Sequence, residues 1–371
     1  MSDKVVVICT GQPGTGRDLL LRRLGEKRDF FHHHLFDYIV KEAEKEGYTL
    51  NKRNVLDFYD GKPDKLEAFR AEALKRIIDE TQKKSGVHVI STPYRFEWKG
   101  MAYNGLKEDE VKVLDPDLFI VIMDDLVRIR DRLRDDPQWG EYAFTLLELA
   151  HWRREEIIGV YNLSHSFTPY KEFYLVAREH DVEFLGELIF NRHKKKVYLS
   201  HPITGESNDF FKKITQFASA LQPYYTVFDP YMIKDWEMVE TWRKMRNKAM
   251  REGKDLPTKI PVSIEYADGT RKYELESWDI ETAIKSLRAQ IIDIDYKIIE
   301  SSYCIVAYHP REQLSAGVMC EMIHAKRLAK FVYAFYPFEP SPFFEWYATK
   351  IFSNKGKILK FLKNAVKKEA N

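Results

Sequence analysis

The sequence predicts an α/β protein of two domains, each built on a doubly wound parallel sheet. Three observations carry this reading. Short apolar runs of strand length alternate with amphipathic or charged runs of helix length along the chain. The alternation halts at a basic stretch, Asn191-Arg-His-Lys-Lys-Lys196, and then begins again. A length of 371 residues suits two domains of ordinary size.

Val5-Val-Val-Ile-Cys9 reads as the first strand, because a continuous apolar run before a glycine turn suits a strand covered on both faces. The turn Thr10-Gly-Gln-Pro-Gly-Thr-Gly16 follows, then a helix with apolar positions Leu19, Leu20 and Leu24. Val87–Ser91, ending at Thr92-Pro93, Asp117–Met123 and Glu172–Val176 are the next strands. Charged helices fill the gaps, as at Lys65–Lys84 and Asp125–Arg134, and Phe184–Phe190 closes a first domain placed at 1–192.

The second domain, 193–371, opens with the strand Val197–Ser200, the turn His201-Pro-Ile-Thr-Gly205 and the helix Asp209–Leu221. Tyr225–Phe228 is its second strand. A polar insertion at about 232–283 is expected to be helical, with a small hairpin around Ala267-Asp-Gly269. A helix over Ile284–Ser301, the strand Tyr303–Tyr308, a helix from Gly317 to Lys330 and the strand Phe331–Phe335 follow. The tail from Pro342 reads as amphipathic helix.

The charge balance, 59 basic against 57 acidic residues, gives no electrostatic case for nucleic acid or an acidic membrane. No run approaches the roughly 18 apolar residues of a membrane span. Cys9, Cys304 and Cys320 lack the spacing of a metal site or a disulfide framework. The expectation is a soluble, cytoplasmic protein without a structural metal. His32-His-His34 reads as a solvent-facing or packing cluster, and Phe343, Phe344, Trp346 and Tyr347 as a dimer face.

Gly11-Gln-Pro-Gly-Thr-Gly-Arg-Asp18 has the spacing of a Walker A loop between a strand and a helix. Gly11, Gly14, Thr15 and Gly16 would wrap a phosphate with backbone N–H groups. Arg17 stands where lysine is usual and Asp18 where the magnesium-binding hydroxyl is usual. With Thr92-Pro93, the strand from Asp115-Pro-Asp and Arg153-Arg154, this half resembles the archaeal adenylate kinase group of nucleoside monophosphate kinases. The resemblance implies ATP or another nucleotide with Mg²⁺ at the loop if it is functional, and Arg128, Arg132 and Arg153 as phosphate or lid arginines. With both loop positions altered, a nucleotide-sensing or structural domain is the stronger expectation.

In the second half, Glu321 lies one turn into its helix, beside an apolar stripe of Val318, Met322, Ala325 and Ala329. The helix dipole favours an anion there, and an ionised carboxylate in a cleft can attack an anomeric carbon. By spacing alone Glu321 also suits a plain first-turn acid. Ser315 and Gly317 put a hydroxyl and bare N–H groups at the same helix start.

The segments Tyr198-Leu-Ser-His-Pro-Ile-Thr-Gly205, Asp295-Tyr-Lys-Ile-Ile-Glu-Ser-Ser-Tyr-Cys-Ile-Val-Ala307 and Ser315-Ala-Gly-Val-Met-Cys-Glu321 together resemble the nucleoside 2-deoxyribosyltransferase superfamily, which includes the deoxynucleoside monophosphate N-glycosidases. The resemblance implies Glu321 as nucleophile, Asp295 as the acid for the departing base and Tyr198 as the residue orienting the nucleophile. It implies a substrate lined by Ser200, His201, Pro202, Ile203, Thr204, Gly205, Ser315 and Gly317, with Ser315 on a 5′-phosphate. No metal or organic cofactor is implied for that step, and the partners implied are a small nucleoside or nucleotide and a further copy of the chain. This chain departs from the family at His201-Pro202, where Gly-Pro or Gly-Ser is usual, and at Thr204, where the monophosphate-cleaving branch has arginine. The rival expectations are a nucleotide kinase, a non-catalytic nucleotide sensor and an NAD glycohydrolase.

Overall fold

The computed structural model describes residues 4–369. The chain forms two compact units, one of Met1–Gly186 with Ile233–Gln290, the other of Glu187–Met232 with Ile291–Asn371. Each holds a five-stranded, wholly parallel sheet, so the α/β class and the doubly wound plan are observed.

The first sheet runs Phe31–His34, Val87–Ser91, Val5–Thr10, Leu118–Met123, Glu172–Ala177. Its central strands Val5–Thr10 and Leu118–Met123 are buried along almost their whole length, as their unbroken apolar runs require. The edge strand Phe31–His34 was not expected, because its histidines hide the apolar signal. His33 is nonetheless buried, stacked on His88 at 5.3 Å and bonded to it at 3.0 Å. A two-stranded hairpin, Arg95–Trp98 with Met101–Asn104, was also missed.

The segment read as an insertion of the second domain belongs to the first unit. Met238, Val239 and Trp242 of the helix Asp235–Glu252, and Ile260, Val262 and Ile264 of the strand Lys259–Tyr266, share one core with Leu126, Ile129, Leu146 and Leu149. The hairpin lies where it was read, Lys259–Tyr266 with Gly269–Glu276 around a two-residue turn. Acids of the helices flanking the hairpin finish two helices of this unit. Asp235 accepts the Leu126 N–H at 2.8 Å, and Asp279 accepts the Leu146 N–H at 2.8 Å. Each thereby caps a helix start, at Leu126–Arg134 and Leu146–His165.

The second sheet runs Lys350–Phe352, Phe331–Phe335, Cys304–Tyr308, Lys196–Ser200, Thr226–Phe228. Strand alternation sends Val197 and Leu199 to a core with Phe210, Ile214, Phe217, Ile358 and Leu362, on the helices Asn208–Leu221 and Lys355–Glu369. Tyr198 and Ser200 consequently face the opposite side. The tail is not one helix: Pro342–Tyr347 is a short helix, Lys350–Phe352 an edge strand, and a second helix follows. Phe343 and Trp346 face solvent, while Phe344 is buried. No helix among the described residues is long and apolar enough to cross a membrane.

Arg153 and Asp235 form an ion pair at 2.6 Å, exposed by only 2% and 1% respectively. Asp235→Ala would strand the buried guanidinium and uncap the Leu126 helix. It is expected to lower the stability of the first unit by about 3–5 kcal/mol. Urea denaturation followed by tryptophan fluorescence measures it, and a change below about 1 kcal/mol would show that the pair does not hold the segment.

Candidate active site

Five strands in this order reverse direction of winding between Lys196–Ser200 and Cys304–Tyr308, the place where a doubly wound sheet opens a crevice at its carboxyl ends. The residues predicted from the second half gather there. Tyr198 and Ser200 come from the first of these strands. Asp295 comes from the helix entering the second strand, and Glu321 from the helix Ala316–Arg327 leaving it.

Ser200 donates its hydroxyl to Glu321 Oε2. It was expected to line the substrate, and its hydroxyl is bonded to the expected nucleophile. Burial pushes the Glu321 pKa up, against the Ser200 hydrogen bond and the His201 charge, to about 7. Burial and then the Glu321 charge hold Asp295 well above the usual carboxylate range. The two acids are thus unequal: Asp295 keeps its proton where Glu321 loses one.

Tyr198 is fully buried and lies close enough to both carboxylates for their charges to add to burial in raising its pKa. Among the described residues its hydroxyl has no well-formed hydrogen bond. It lies within reach of both carboxylates, each of which its hydrogen-bonding favours in the charged form.

His201 is buried, with Nε2 3.0 Å from Asp229 Oδ1 and Nδ1 2.9 Å from the Pro202 carbonyl. Both partners accept, so both ring nitrogens donate and the ring is an imidazolium. Burial opposes the charge, but Asp229 wins and the pKa is raised. The His201 ring is therefore engaged within the protein, as a fixed positive charge that favours the Glu321 anion. Pro202 is buried, Ile203 half-buried, and Thr204 and Gly205 are exposed at the tip of the turn, where Gly205 has φ 76°. Arg311, on the loop after Cys304–Tyr308, pairs with Glu206 of that turn.

Ser315 begins the Glu321 helix, with its N–H donating to His309 Nε2 at 3.0 Å and its hydroxyl making no cap bond. A Cβ at Gly317 would meet only the Ser315 hydroxyl, at 3.8 Å. Nothing within the fold requires glycine there, and the space lies open. Asp229 and His309 were missed. Both immediately follow a strand, and inspecting every strand end for a charged or ring residue would have found them.

The glycine loop of the first unit is folded around its own groups. Gly11 N–H donates to buried Glu156 at 2.8 Å, and the same carboxylate accepts the N–H groups of Tyr94 and Arg95. Gly14 and Gly16 have φ of 85° and 77°, the left-handed backbone for which glycine is used. Thr15 donates its hydroxyl to the Gln12 carbonyl. Arg17 reaches Asp18 through two bonds of 2.9 Å and the Gly11 carbonyl at 3.2 Å. Burial opposes the Asp18 charge, but the Arg17 charge and the His34 bond hold its carboxyl well below the usual range. The loop's cation is neutralised and its magnesium position is a fixed anion, so these residues do not fit ATP with Mg²⁺ in the usual manner. Arg132 bonds to Asp124 and to the Gly14 carbonyl, and Arg128 to Glu179 at 2.7 Å. Arg153, a lid arginine in the adenylate kinase resemblance, is instead locked to Asp235.

Residues 10–142 match a family described as an AAA domain. With the strand order and the Walker-spaced loop, this makes the first unit a P-loop domain. No curated protein matches the sequence. The chain is similar to "Crystal structure of TT1252 from Thermus thermophilus" at a TM-score of 0.33 and 12% identity, over 51% of this chain and 98% of that one, too slight a likeness to argue from.

Glu321 gives a direct test of these electrostatics. Between the ordinary value of 4.5 and about 7, the folded unit keeps a proton that the unfolded chain releases. Stability from this group therefore falls as pH rises through that window. Glu321→Gln is expected to raise Tm by several degrees at pH 8 and to leave it near wild type at pH 5, as read by calorimetry. A lower Tm at pH 8 would contradict a half-buried, costly anion.

Proposed function

We propose that the second unit cleaves or transfers the N-glycosidic bond of a nucleoside or nucleoside 5′-monophosphate, with Glu321 as nucleophile and Asp295 as acid. The observation supporting this is the unequal carboxylate pair at the sheet's switch point. A carboxylate ionised near neutral pH can attack C1′ of the sugar, and a carboxyl group still protonated can supply the departing base with its proton.

In this reading the Glu321 oxygen bonds to C1′ as the C1′–N bond breaks. The bonding pair leaves with the base, which takes the Asp295 proton. Water or a second base then attacks C1′ while giving its proton to the Asp295 carboxylate, and the bond from C1′ to Glu321 breaks to return the free carboxylate. Ser200 and the His201 imidazolium keep Glu321 anionic, Tyr198 takes up the carboxylate oxygen that turns from C1′, and the open space at Gly317 admits the sugar. The Ser315 hydroxyl at the helix start suits a 5′-phosphate.

The test is incubation with deoxynucleosides, their monophosphates, ribonucleotides and NAD, with free base followed by chromatography. Wild type is expected to release base from at least one class, and Glu321→Gln to be slower by about three orders of magnitude or more. Equal behaviour of the two proteins on every substrate refutes the proposal, and a sugar trapped on Glu321 by mass spectrometry supports it.

The AAA domain match favours a second reading, in which the first unit binds a nucleotide. The self-neutralised loop supports sensing over phosphoryl transfer. ATP turnover abolished by Arg17→Ala would instead support a kinase.

A further inference from the structure

The residues around Arg178 carry a feature that neither reading uses. Arg178 follows the strand Glu172–Ala177 and lies over the glycine loop, its Nε 3.0 Å from where a Gly16 Cβ would stand. It is half-buried, yet among the described residues its guanidinium makes no ion pair or hydrogen bond. Burial lowers its pKa, the Asp124 charge opposes this, and the charges of Arg132, Arg23 and Arg128 add to it. A guanidinium is strongly disfavoured in such company unless an anion joins it.

The neighbouring carboxylates are already engaged. Asp124 bonds to Arg132 and lies 3.5 Å from Arg128, and Glu179 bonds to Arg128 at 2.7 Å and to the Ala267 N–H. At the rim, Asp268 holds Arg271 and Glu183 holds Lys27. Of the other two acids there, Glu26 is exposed, and Asp181 is exposed and caps Phe184 at 2.7 Å. Arg178 and Arg23 thus face a groove of about 660 Å³ without a counter-ion of their own.

We propose that this groove binds a phosphate group, held by the Arg178 fork with Arg23, in place of the glycine loop's own cradle. Guanidinium forks match phosphate oxygens in pairs. The cradle cannot compete, because Arg17 and the Gly11 N–H are committed to Asp18 and Glu156. The groove has room for more than the phosphate itself, so the ligand is either free phosphate or a phosphorylated small molecule. The inference is independent of the chemistry at Glu321.

The test is calorimetric titration of the full chain, without magnesium, with inorganic phosphate, pyrophosphate, AMP and ATP, alongside thermal melts. Phosphate is expected to bind and to raise Tm in wild type and in Arg17→Ala alike. Arg178→Gln is expected to weaken binding by roughly tenfold or more, and Arg178→Lys to restore part of it. In phosphate-free buffer Arg178→Gln should melt at or above wild type, since it removes a charge without a partner. A nucleotide binding more tightly than phosphate would assign the site to a phosphorylated small molecule; equal affinities would assign it to free phosphate. The proposal fails if wild type binds none of the four, if Arg17→Ala rather than Arg178→Gln abolishes binding, or if Arg178→Gln melts lower in phosphate-free buffer.

Discussion

Two half-buried carboxylates, Glu321 and Asp295, lie together at the end of the second sheet, where the charge of one opposes the ionisation of the other. The rest of that unit's crevice follows from this constraint. Strand alternation brings Tyr198 and Ser200 to the same face, one toward both acids and the other bonded to Glu321. The His201 imidazolium, fixed by Asp229 and a carbonyl, lends its charge to Glu321. No such cation acts on Asp295, whose charged form is opposed by burial and by its neighbour. The division of roles between the acids is thus an outcome of which one has positive and donating company.

The first unit meets a related problem with the opposite result. A glycine loop between a strand and a helix presents N–H groups and a cation that normally await a phosphate. Here Glu156 takes the first N–H, and Asp18 takes the cation. Each of these groups is satisfied by the chain itself, so an incoming phosphate would have to displace carboxylates that are already buried or paired. The fold of a P-loop domain is retained while its cradle is closed from within. Sequence showed half of this: Arg17 and Asp18 stand in the altered positions, but Glu156 lies 145 residues from Gly11 and carries no motif.

What was legible follows the strength of local pattern. Val87–Ser91 and Phe331–Phe335 were read to the residue, because each is an apolar run with clear turn or helix signals on both sides. Phe31–His34 and Lys350–Phe352 were not, since an edge strand needs little apolar content and histidine or lysine disguises it. Tyr198, Asp295, Ser315, Gly317 and Glu321 were named together because their segments jointly resemble one family, since spacing alone suited Glu321 equally to a plain first-turn acid. The actual partners of Ser200 and His201 were not, since Ser200 could equally face a ligand, and Asp229 lies outside any motif. The allegiance of 233–290 was illegible for a related reason: the segment sits between strands of the second unit, and nothing local says which core its apolar faces join.

That allegiance bears on how the first unit is completed. Helix starts leave N–H groups bare, and in a phosphate-binding fold some of them serve the ligand. Here Asp235 and Asp279, both from the returning segment, supply carboxylates to the starts of Leu126–Arg134 and Leu146–His165. Asp125 in turn accepts the Lys234 N–H at 2.6 Å, so the end of the central strand and the segment hold each other. The hairpin then lays Tyr266 under the Arg128 guanidinium, 4.4 Å from ring to cation, and brings the Ala267 N–H to Glu179. These contacts fix Arg128 and occupy Glu179, which is what leaves Arg178 without a carboxylate of its own. The segment therefore acts as a structural part of the P-loop unit, and the arginine groove exists because that part is in place.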